Sequence, residues 1–254
     1  MARRSKTTTR TASKRAEPAT RAAWLRTRRA RRLWGGLWRG LWRGLVGLGA
    51  VVLVLIILYS VVNPPTTPYI LSEWFRQGTI KRQWVALEDM SPQMARSVVA
   101  AEDANFCLHW GFDIKAIKAA LNEGANRGAS TLTQQVVKNV FLWQGRSWPR
   151  KALEALLTPV VEMIWSKRRI VEVYLNVAET GTGIFGAEAA AQAYFRTSAA
   201  KLSARQAALI AAALPDPKRR NPAKPSRFLR KRAAAITQGA ETIEADGRAV
   251  CFED

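Results

Sequence analysis

Residues 100–111 read AAEDANFCLHWG, and they close a predicted helix with two adjacent carboxylates, Glu102 and Asp103. Acidic side chains are disfavoured at a helix C-terminus, where the dipole is negative, so their presence indicates use in chemistry. Neighbouring carboxylates raise each other's proton affinity, and partial burial adds to this effect, which suits a general base. A solvated helix end is the alternative interpretation. His109, the only histidine, is interpreted as a hydrogen-bonding residue and not as a catalyst.

A second string, GASTLTQQVVKN at residues 128–139, collects hydrogen-bond donors without any acid. Gln134 follows Thr131 by three residues, which is the spacing of a capping box. Thr131, Gln135 and Lys138 share one helical face, so their donors suit an anionic ligand. A capped helix with an exposed polar face would explain Thr131 and Gln134 but not the whole string. The candidate ligand-binding residues of this string are Ser130, Thr131, Gln134, Gln135, Lys138 and Asn139.

A third string, WPRKALEALL at residues 148–157, surrounds an acid with cations. Arg150 and Lys151 precede Glu154 by four and three residues, so all three side chains lie on one helical surface. Neighbouring cations favour the ionised carboxylate, which makes Glu154 a poor base but a good organiser of cations near a phosphate. Taken alone, this pattern also fits a routine surface ion pair.

The fourth string, KRRIVEVYLN at residues 167–176, precedes a glycine-rich loop, TGTGIFG at 180–186. Lys167, Tyr174 and Asn176 are its candidate substrate-binding residues. The loop matches neither a Walker pattern nor a dinucleotide fingerprint, so a nucleotide site is rejected.

The charge distribution favours a membrane over nucleic acid. The chain carries a formal charge of +21, but 14 of its 40 basic residues lie between Arg3 and Arg43. Residues 45–62, LVGLGAVVLVLIILYSVV, carry no charge, and as a helix they would reach about 27 Å, close to the thickness of a bilayer core. The positive flank predicts a cytoplasmic N-terminus, a single pass through the inner membrane and a periplasmic domain. A partner-binding or nucleic-acid arm is the alternative for residues 1–44.

The rest of the chain is predicted to be mainly α, with one domain at 64–254 after the arm at 1–44 and the span at 45–63. Cys107 and Cys251 are too few for a disulfide scaffold. An exported location permits one bridge between them, and two free buried thiols fit equally well. Helices are predicted at 92–103, from Asp113, from Thr131, and at 148–166, 167–176, 187–195, 203–214 and after Ser226.

Together the four strings resemble the glycosyltransferase family that polymerises lipid II, found alone or fused to penicillin-binding transpeptidases. The resemblance covers about Met90 to Pro215. It implies a lysozyme-like fold with a small jaw lobe, standing on the membrane. It also implies lipid II and an undecaprenyl-linked glycan chain as substrates, other cell-wall synthases or division proteins as partners, and no nucleic acid. Gln206 departs from the acid that many members carry at the start of the last Ala-rich helix.

The resemblance makes Glu102 the catalytic base and Glu154 a second essential carboxylate. Substrate-binding roles are carried over to Asp103, Phe106 and His109. No cofactor is required, and a divalent cation, Mg²⁺ or Mn²⁺, is the one optional addition. The product is a β-1,4 glycan formed with inversion and release of undecaprenyl pyrophosphate.

Three other readings compete with a polymerase. A lytic enzyme of similar fold would need one acid with a raised pKa but no cationic cluster. A scaffold of the division machinery or a tethered DNA binder would need neither Glu102 nor Glu154. Ser198 and Lys201 fit the S-x-x-K pattern of a serine acylase, but no K-T-G or S-D-N accompanies them and too few residues follow, so no transpeptidase domain is expected.

Overall fold

The computed structural model describes residues 17–122 and 130–253, without the side chains of residues 17–35 and Leu37. The first basic residues of the arm, the side chain of Trp34, and Gly128 of the second string therefore lie outside the described part. Two compact units divide between Val54 and Leu55. The predicted split into a large lobe and a jaw stays a prediction.

One long helix, α1 (Glu17–Tyr59), opens the described chain. Its segment Trp38–Tyr59 is long and apolar enough to cross a membrane, judged by length and composition. The predicted span began later, at Leu45, and continued to Asn63, whereas the helix ends at Tyr59. Turn hydrogen bonds continue to Val62, whose N–H donates to the carbonyl of Leu58 at 2.9 Å, and Pro64 disfavours helical geometry at Asn63.

The prediction of a mainly α domain is confirmed. Within this domain the predicted helix boundaries agree with the observed ones to within a few residues, while the helices Pro68–Gln77 and Val250–Glu253 and three short 3₁₀ turns of the described part were not predicted. The remaining helices among the described residues are α2 (Pro68–Gln77), α3 (Pro92–Glu102), α4 (Ile114–Asn122), α5 (Leu132–Phe141), α6 (Trp148–Ile164), α7 (Lys167–Val177), α8 (Ala187–Phe195), α9 (Ala204–Ala213), α10 (Arg227–Ala245) and α11 (Val250–Glu253).

Side-chain caps fix the helix starts that matter for the site. The capping box predicted at Thr131 is present, with reciprocal bonds between Thr131 and Gln134. Asp113 accepts a hydrogen bond from the backbone of Ala116 at 2.8 Å, as its predicted capping role requires. A second capping box joins Ser203 and Gln206 at the start of α9, so the residue that departs from the family pattern has a local structural role.

A small sheet was missed by sequence reasoning. Strand β3 (Ile184–Phe185) pairs in parallel with β1 (Lys81–Arg82) and antiparallel with β2 (Glu179–Gly181). The glycine-rich loop is therefore a β-hairpin. Its strands are two or three residues long, too short to show the alternation by which strands are recognised in a sequence.

Two groups of helices build the core. Helix α3 packs against α9 and α10, and α5 packs against α6 and α7. The apolar faces of α3 and α5, with Val98, Val99, Val136 and Val137, are almost completely buried. Hydrogen bonds from α5, namely from the N–H of Leu132 to Asp103 and from the side chain of Gln135 to Glu102, join it to the end of α3.

Cys107 and Cys251 form a disulfide across 144 residues. The bond ties the turn that follows Glu102 to α11, whose Phe252 is fully buried. The same junction holds Arg96 of α3, which forms ion pairs with Glu253 and Glu244. Of the two possibilities that the sequence left open, the structure has the bridge.

Residues 55–63, at the end of α1, are held by α7 and by the residue that ends α6. The indole of Trp165 donates to the carbonyl of Ile56 at 2.7 Å. Arg169 donates to the carbonyls of Tyr59 and Val62 at 3.0 and 2.9 Å and to the side chain of Asn63 at 2.8 Å. Helix α7 is thus fixed to the chain as it leaves the apolar helix.

Candidate active site

Glu102 is the last residue of α3, and its two carboxylate oxygens have different surroundings. Oε2 accepts a hydrogen bond from the side-chain amide of Gln135 at 2.8 Å. Oε1 is shielded from solvent and has no hydrogen-bond partner among the described residues. A buried carboxylate oxygen without a donor is costly unless a ligand uses it, so Oε1 is the natural acceptor for a substrate proton.

Burial raises the pKa of Glu102, and the amide of Gln135 together with the charges of Arg232, Lys138 and Arg220 opposes that rise. The sequence prediction attributed the rise partly to Asp103, which is not among its main causes. A carboxylate with a raised pKa holds a proton more tightly, which is the property of a general base that must work near neutral pH.

Asp103 is not available as a general base, because both of its carboxylate oxygens already form hydrogen bonds. One accepts from the backbone N–H of Leu132 at 3.0 Å, and the other bonds His109 at 2.8 Å. A carboxylate at the first turn of α5 also suits the helix dipole. Asp103 and His109 therefore join the first string to the second.

Gly111 completes that junction. It has φ +79°, and a Cβ there would lie 2.6 Å from the side chain of Thr158 on α6. Its carbonyl accepts a hydrogen bond from the hydroxyl of Thr131 at 2.6 Å. A larger residue would strain the backbone and collide with α6, so the glycine sets the approach of three elements.

Glu154 is the buried centre of a cation cluster. Its side chain is 3% exposed, and it forms ion pairs with Arg150 at 2.7 Å and with Lys151. Lys151 also donates to the hydroxyl of Ser130 at 3.1 Å, and Arg150 donates to the carbonyl of Gly145 at 2.7 Å. The pattern predicted for the third string is present in the structure.

Lys138 is a buried cation at the middle of the cleft. Its ammonium group makes no hydrogen bond or ion pair with any described residue. Burial lowers the pKa of Lys138, and the charges of Glu154 and Glu102 oppose this effect. Glu102 and Glu154 thus both act on one lysine between them, which is suited to hold an anionic group of a ligand.

Three polar cavities lie next to one another and share several of these residues in their linings. One of about 260 Å³ is lined by Glu102, Asp103 and Ser130. The next, of about 390 Å³, is lined by Ser130, Gln135 and the cations around Glu154. A third, of about 250 Å³, lies beyond Lys138. Ser130 lines the first two, while Gln135 and Lys138 line the second and third, so a cleft passes from Glu102 to the cation cluster.

The remaining predicted residues of α5 and α7 divide into lining and buried groups. Tyr174 and Asn139 line the third cavity, and the hydroxyl of Tyr174 donates to Gln135 at 3.2 Å. Asn176 is fully buried, and its amide group both donates to and accepts from the backbone of Val85 at 2.9 Å. Asn176 therefore fixes the backbone at Val85, and it does not line any of the three cavities.

Lys167 and Phe106 meet behind the cleft. The ammonium of Lys167 lies 4.2 Å from the centre of the Phe106 ring and forms an ion pair with Glu162 at 2.9 Å. It also donates to the carbonyl of His109 at 2.8 Å. The structure therefore places both residues in the support of the first string.

Several residues in and behind the cleft were not singled out from the sequence. Glu162 is buried and also accepts from Thr133 of α5. Glu179, which lines the third cavity, accepts from Tyr69 and forms an ion pair with Lys218 at 3.4 Å. These partners lie far apart in the chain, so no spacing signal could have identified them.

A buried carboxylate, an unpaired lysine and a cation cluster along one polar cleft define an enzyme site for transfer from an anionic donor. Comparison with known proteins agrees. Residues 70–241 match the transglycosylase family. Similar proteins include three called biosynthetic peptidoglycan transglycosylase: one from Jannaschia sp. (strain CCS1), 59% identical over 88% of this chain and 94% of its own length; one from Stutzerimonas stutzeri, 49% identical over 76% and 84%; and one from Rhodospirillum centenum, 46% identical over 83% and 93%.

The chain therefore belongs to the transglycosylase family, as the four strings predicted.

Proposed function

We propose that this protein polymerises lipid II into β-1,4-linked glycan strands with inversion at the anomeric carbon. The observation that carries the proposal is the free, buried Oε1 of Glu102 at one end of a cleft whose other end holds Lys138 and the cations around Glu154. The names of the similar proteins support synthesis of peptidoglycan.

The acceptor is activated at Glu102. Its carboxylate takes the proton of the sugar 4-hydroxyl as that oxygen attacks the anomeric carbon of the lipid-linked strand. The bond from this carbon to the pyrophosphate breaks on the opposite face, so the electron pair leaves with the undecaprenyl pyrophosphate. Gln135 holds the base in place through its bond to Oε2.

Negative charge grows on the departing pyrophosphate, and Lys138, Arg150 and Lys151 stabilise it. Glu154 keeps Arg150 and Lys151 at fixed positions through its two oxygens. Both oxygens are already bonded, and no group of three or more potential metal ligands lies together among the described residues. No step proposed here passes through a metal ion.

Synthesis is favoured over cleavage of glycan by the same cations. A lytic enzyme needs a proton donor at the glycosidic oxygen, but it releases no anion that would require Lys138. A scaffold or nucleic-acid binder would not need a buried, unpaired carboxylate oxygen at Glu102.

Product analysis tests the proposal. The purified full chain is incubated with lipid II, and the products are separated by size. Long glycan with released undecaprenyl pyrophosphate is the expected result. Anhydro-muramyl fragments from added glycan would instead identify a lytic enzyme, and unchanged lipid II under conditions that support other polymerases would contradict any enzyme of this class.

We propose that α1 anchors the enzyme in the inner membrane with its N-terminus in the cytoplasm and the catalytic unit in the periplasm. The basic residues before Trp38 support this orientation, because positive flanks are retained inside. The disulfide supports it independently, because such bonds persist in oxidising compartments. Other cell-wall synthases or division proteins remain proposed partners.

Trp143 and Trp148 are expected to bring the cleft to the lipid surface. Their side chains are 48% and 89% exposed, whereas the neighbouring Leu142 is buried and Phe141 packs on Tyr59. Replacing both tryptophans by serine should lower turnover of lipid II in vesicles about tenfold, because aromatic rings stabilise contact with the interface. Turnover in detergent should stay unchanged. Equal turnover of the variant and the wild type in vesicles would contradict this role.

A further inference from the structure

The segment KRRNPAKPSRFLRKR, residues 218–232, contains eight basic residues and no acid, and the mechanism above uses none of them. Lys218 is paired with Glu73 and Glu179. The other seven form no ion pair with any described acid. Arg220 donates to the carbonyl of Ala212 at 3.0 Å and lies over the ring of Phe228. This basic segment is thus a strongly charged surface without an assigned ligand.

Helix α10 brings the end of this segment to Glu102. Helices α3 and α10 run antiparallel, since Arg96 pairs with Glu244 and Ala100 packs on Gly239. At about 1.5 Å per residue, the same register carries Arg232 more than one turn past the end of α3. Arg232 therefore lies past the end of α3, on the side where that helix ends in Glu102. The charge of Arg232 opposes the burial that raises the pKa of Glu102, which agrees with this position.

Arg232 forms no ion pair or hydrogen bond within residues 17–122 and 130–253. Its Nε is shielded from solvent and finds no hydrogen bond among the described residues. A shielded N–H group without an acceptor is unfavourable, and a guanidinium is suited to a planar, two-oxygen anion. The position next to Glu102 therefore calls for an anion supplied by the substrate.

The cations proposed to stabilise the pyrophosphate belong to other helices than Arg232. Lys138 reaches toward Glu102 from α5, and Arg150 and Lys151 belong to α6, whereas Arg232 approaches from α10. A peptidoglycan precursor carries a second kind of anion, because its peptide ends in a carboxylate. A carboxylate matches the fork of a guanidinium with two parallel hydrogen bonds.

We infer that Arg232 binds a carboxylate of the peptide carried by the sugar chain at Glu102. The inference rests on the proposed function and adds to it a contact that selects substrates by their peptide. A membrane phosphate is the less suitable ligand, because the Nε of Arg232 is shielded within the protein and does not face an open surface.

The test compares two substrates and three enzymes. The substrates are lipid II with its free peptide carboxylates and lipid II with those carboxylates amidated. The enzymes are the wild type, Arg232→Gln, and the control Arg205→Gln, which removes an exposed arginine of α9. Because Arg232 also acts on the pKa of Glu102, all assays are run well above the acid limb of the pH profile.

The wild type and the Arg205 control should have a KM about tenfold lower for the free carboxylate than for the amide, the size expected of one charge-assisted pair. Arg232→Gln should lose this preference, and Arg232→Lys should restore part of it. A preference that survives in Arg232→Gln, or is absent from the wild type, would overturn the inference.

Two further outcomes separate the possible failures. If the wild type forms glycan from neither substrate, the proposed function itself fails. If Arg232→Gln is impaired equally on both substrates, and only in vesicles of anionic phospholipid, the ligand is a lipid headgroup and the peptide contact is rejected. Repeating the assay in neutral detergent provides that comparison.

Discussion

Glu102→Gln should lower polymerisation of lipid II by about a thousandfold, within the range that a positioned general base contributes. The amide keeps the shape of the side chain but cannot take the hydroxyl proton. Single-turnover rates of product formation measure the loss. Glu88→Gln is the matched control, because Glu88 is an exposed partner of Arg168 in a surface ion pair and its loss should leave the rate unchanged.

Stability distinguishes loss of the base from loss of the fold. Burial raises the pKa of Glu102 in the folded protein, so the folded state binds a proton that the unfolded state releases. Wild-type stability should therefore fall, relative to the Gln variant, as the pH rises from the ordinary glutamate value through the raised one. At neutral pH the inactive variant should melt at the same temperature as the wild type or higher. A lower melting temperature there would contradict the burial of an uncompensated carboxylate.

The pH profile carries the same sign. The reaction needs the ionised form of Glu102, so kcat/KM should decline as the pH falls through the raised pKa, at higher pH than for an ordinary glutamate. A decline only near the ordinary value would argue against Glu102 as the base.

Glu154→Gln should lower polymerisation by about a hundredfold, because Arg150 and Lys151 lose the anion that fixes them beside the leaving pyrophosphate. The variant should also be less stable by about 3 kcal/mol, since it leaves the buried Arg150 without its partner. Thermal unfolding and product formation are the two measurements.

The pH profile also separates the roles of the two carboxylates. Because Glu102 remains the base in Glu154→Gln, the acid limb of the profile should be retained in this variant at a lower overall rate. Disappearance of that limb would mean that Glu154 is itself the titrating group, and its role as an organiser of cations would be wrong.

Local patterns were the most reliable guide to structure in this sequence. The capping box at Thr131 and the cap at Asp113 depend on residues three apart, and both are present. The pairing of Glu154 with Arg150 and Lys151 follows from helical spacing in the same way. Short-range geometry is fixed by the periodicity of the helix, which the sequence contains directly.

Long-range relations could not be predicted in the same way. The direction of Asp103 toward Leu132, and the contact of Lys167 with Phe106, depend on how distant elements pack. Adjacent positions suggested that Asp103 acts on Glu102, but the end of α3 turns the two side chains to different partners. In the sequence Arg232 is one of many basic residues, and only the register of α10 places it near the end of α3.

Because of the disulfide between Cys107 and Cys251, the four sequence strings alone do not complete the cleft. A fragment that stops short of Cys251 would contain all four strings, yet the turn after Glu102 would lack its covalent tether. The covalent tether of that turn can therefore form only after the segment around Cys251 has been synthesised. Such a dependence would keep the enzyme immature until its downstream helices have reached an oxidising environment.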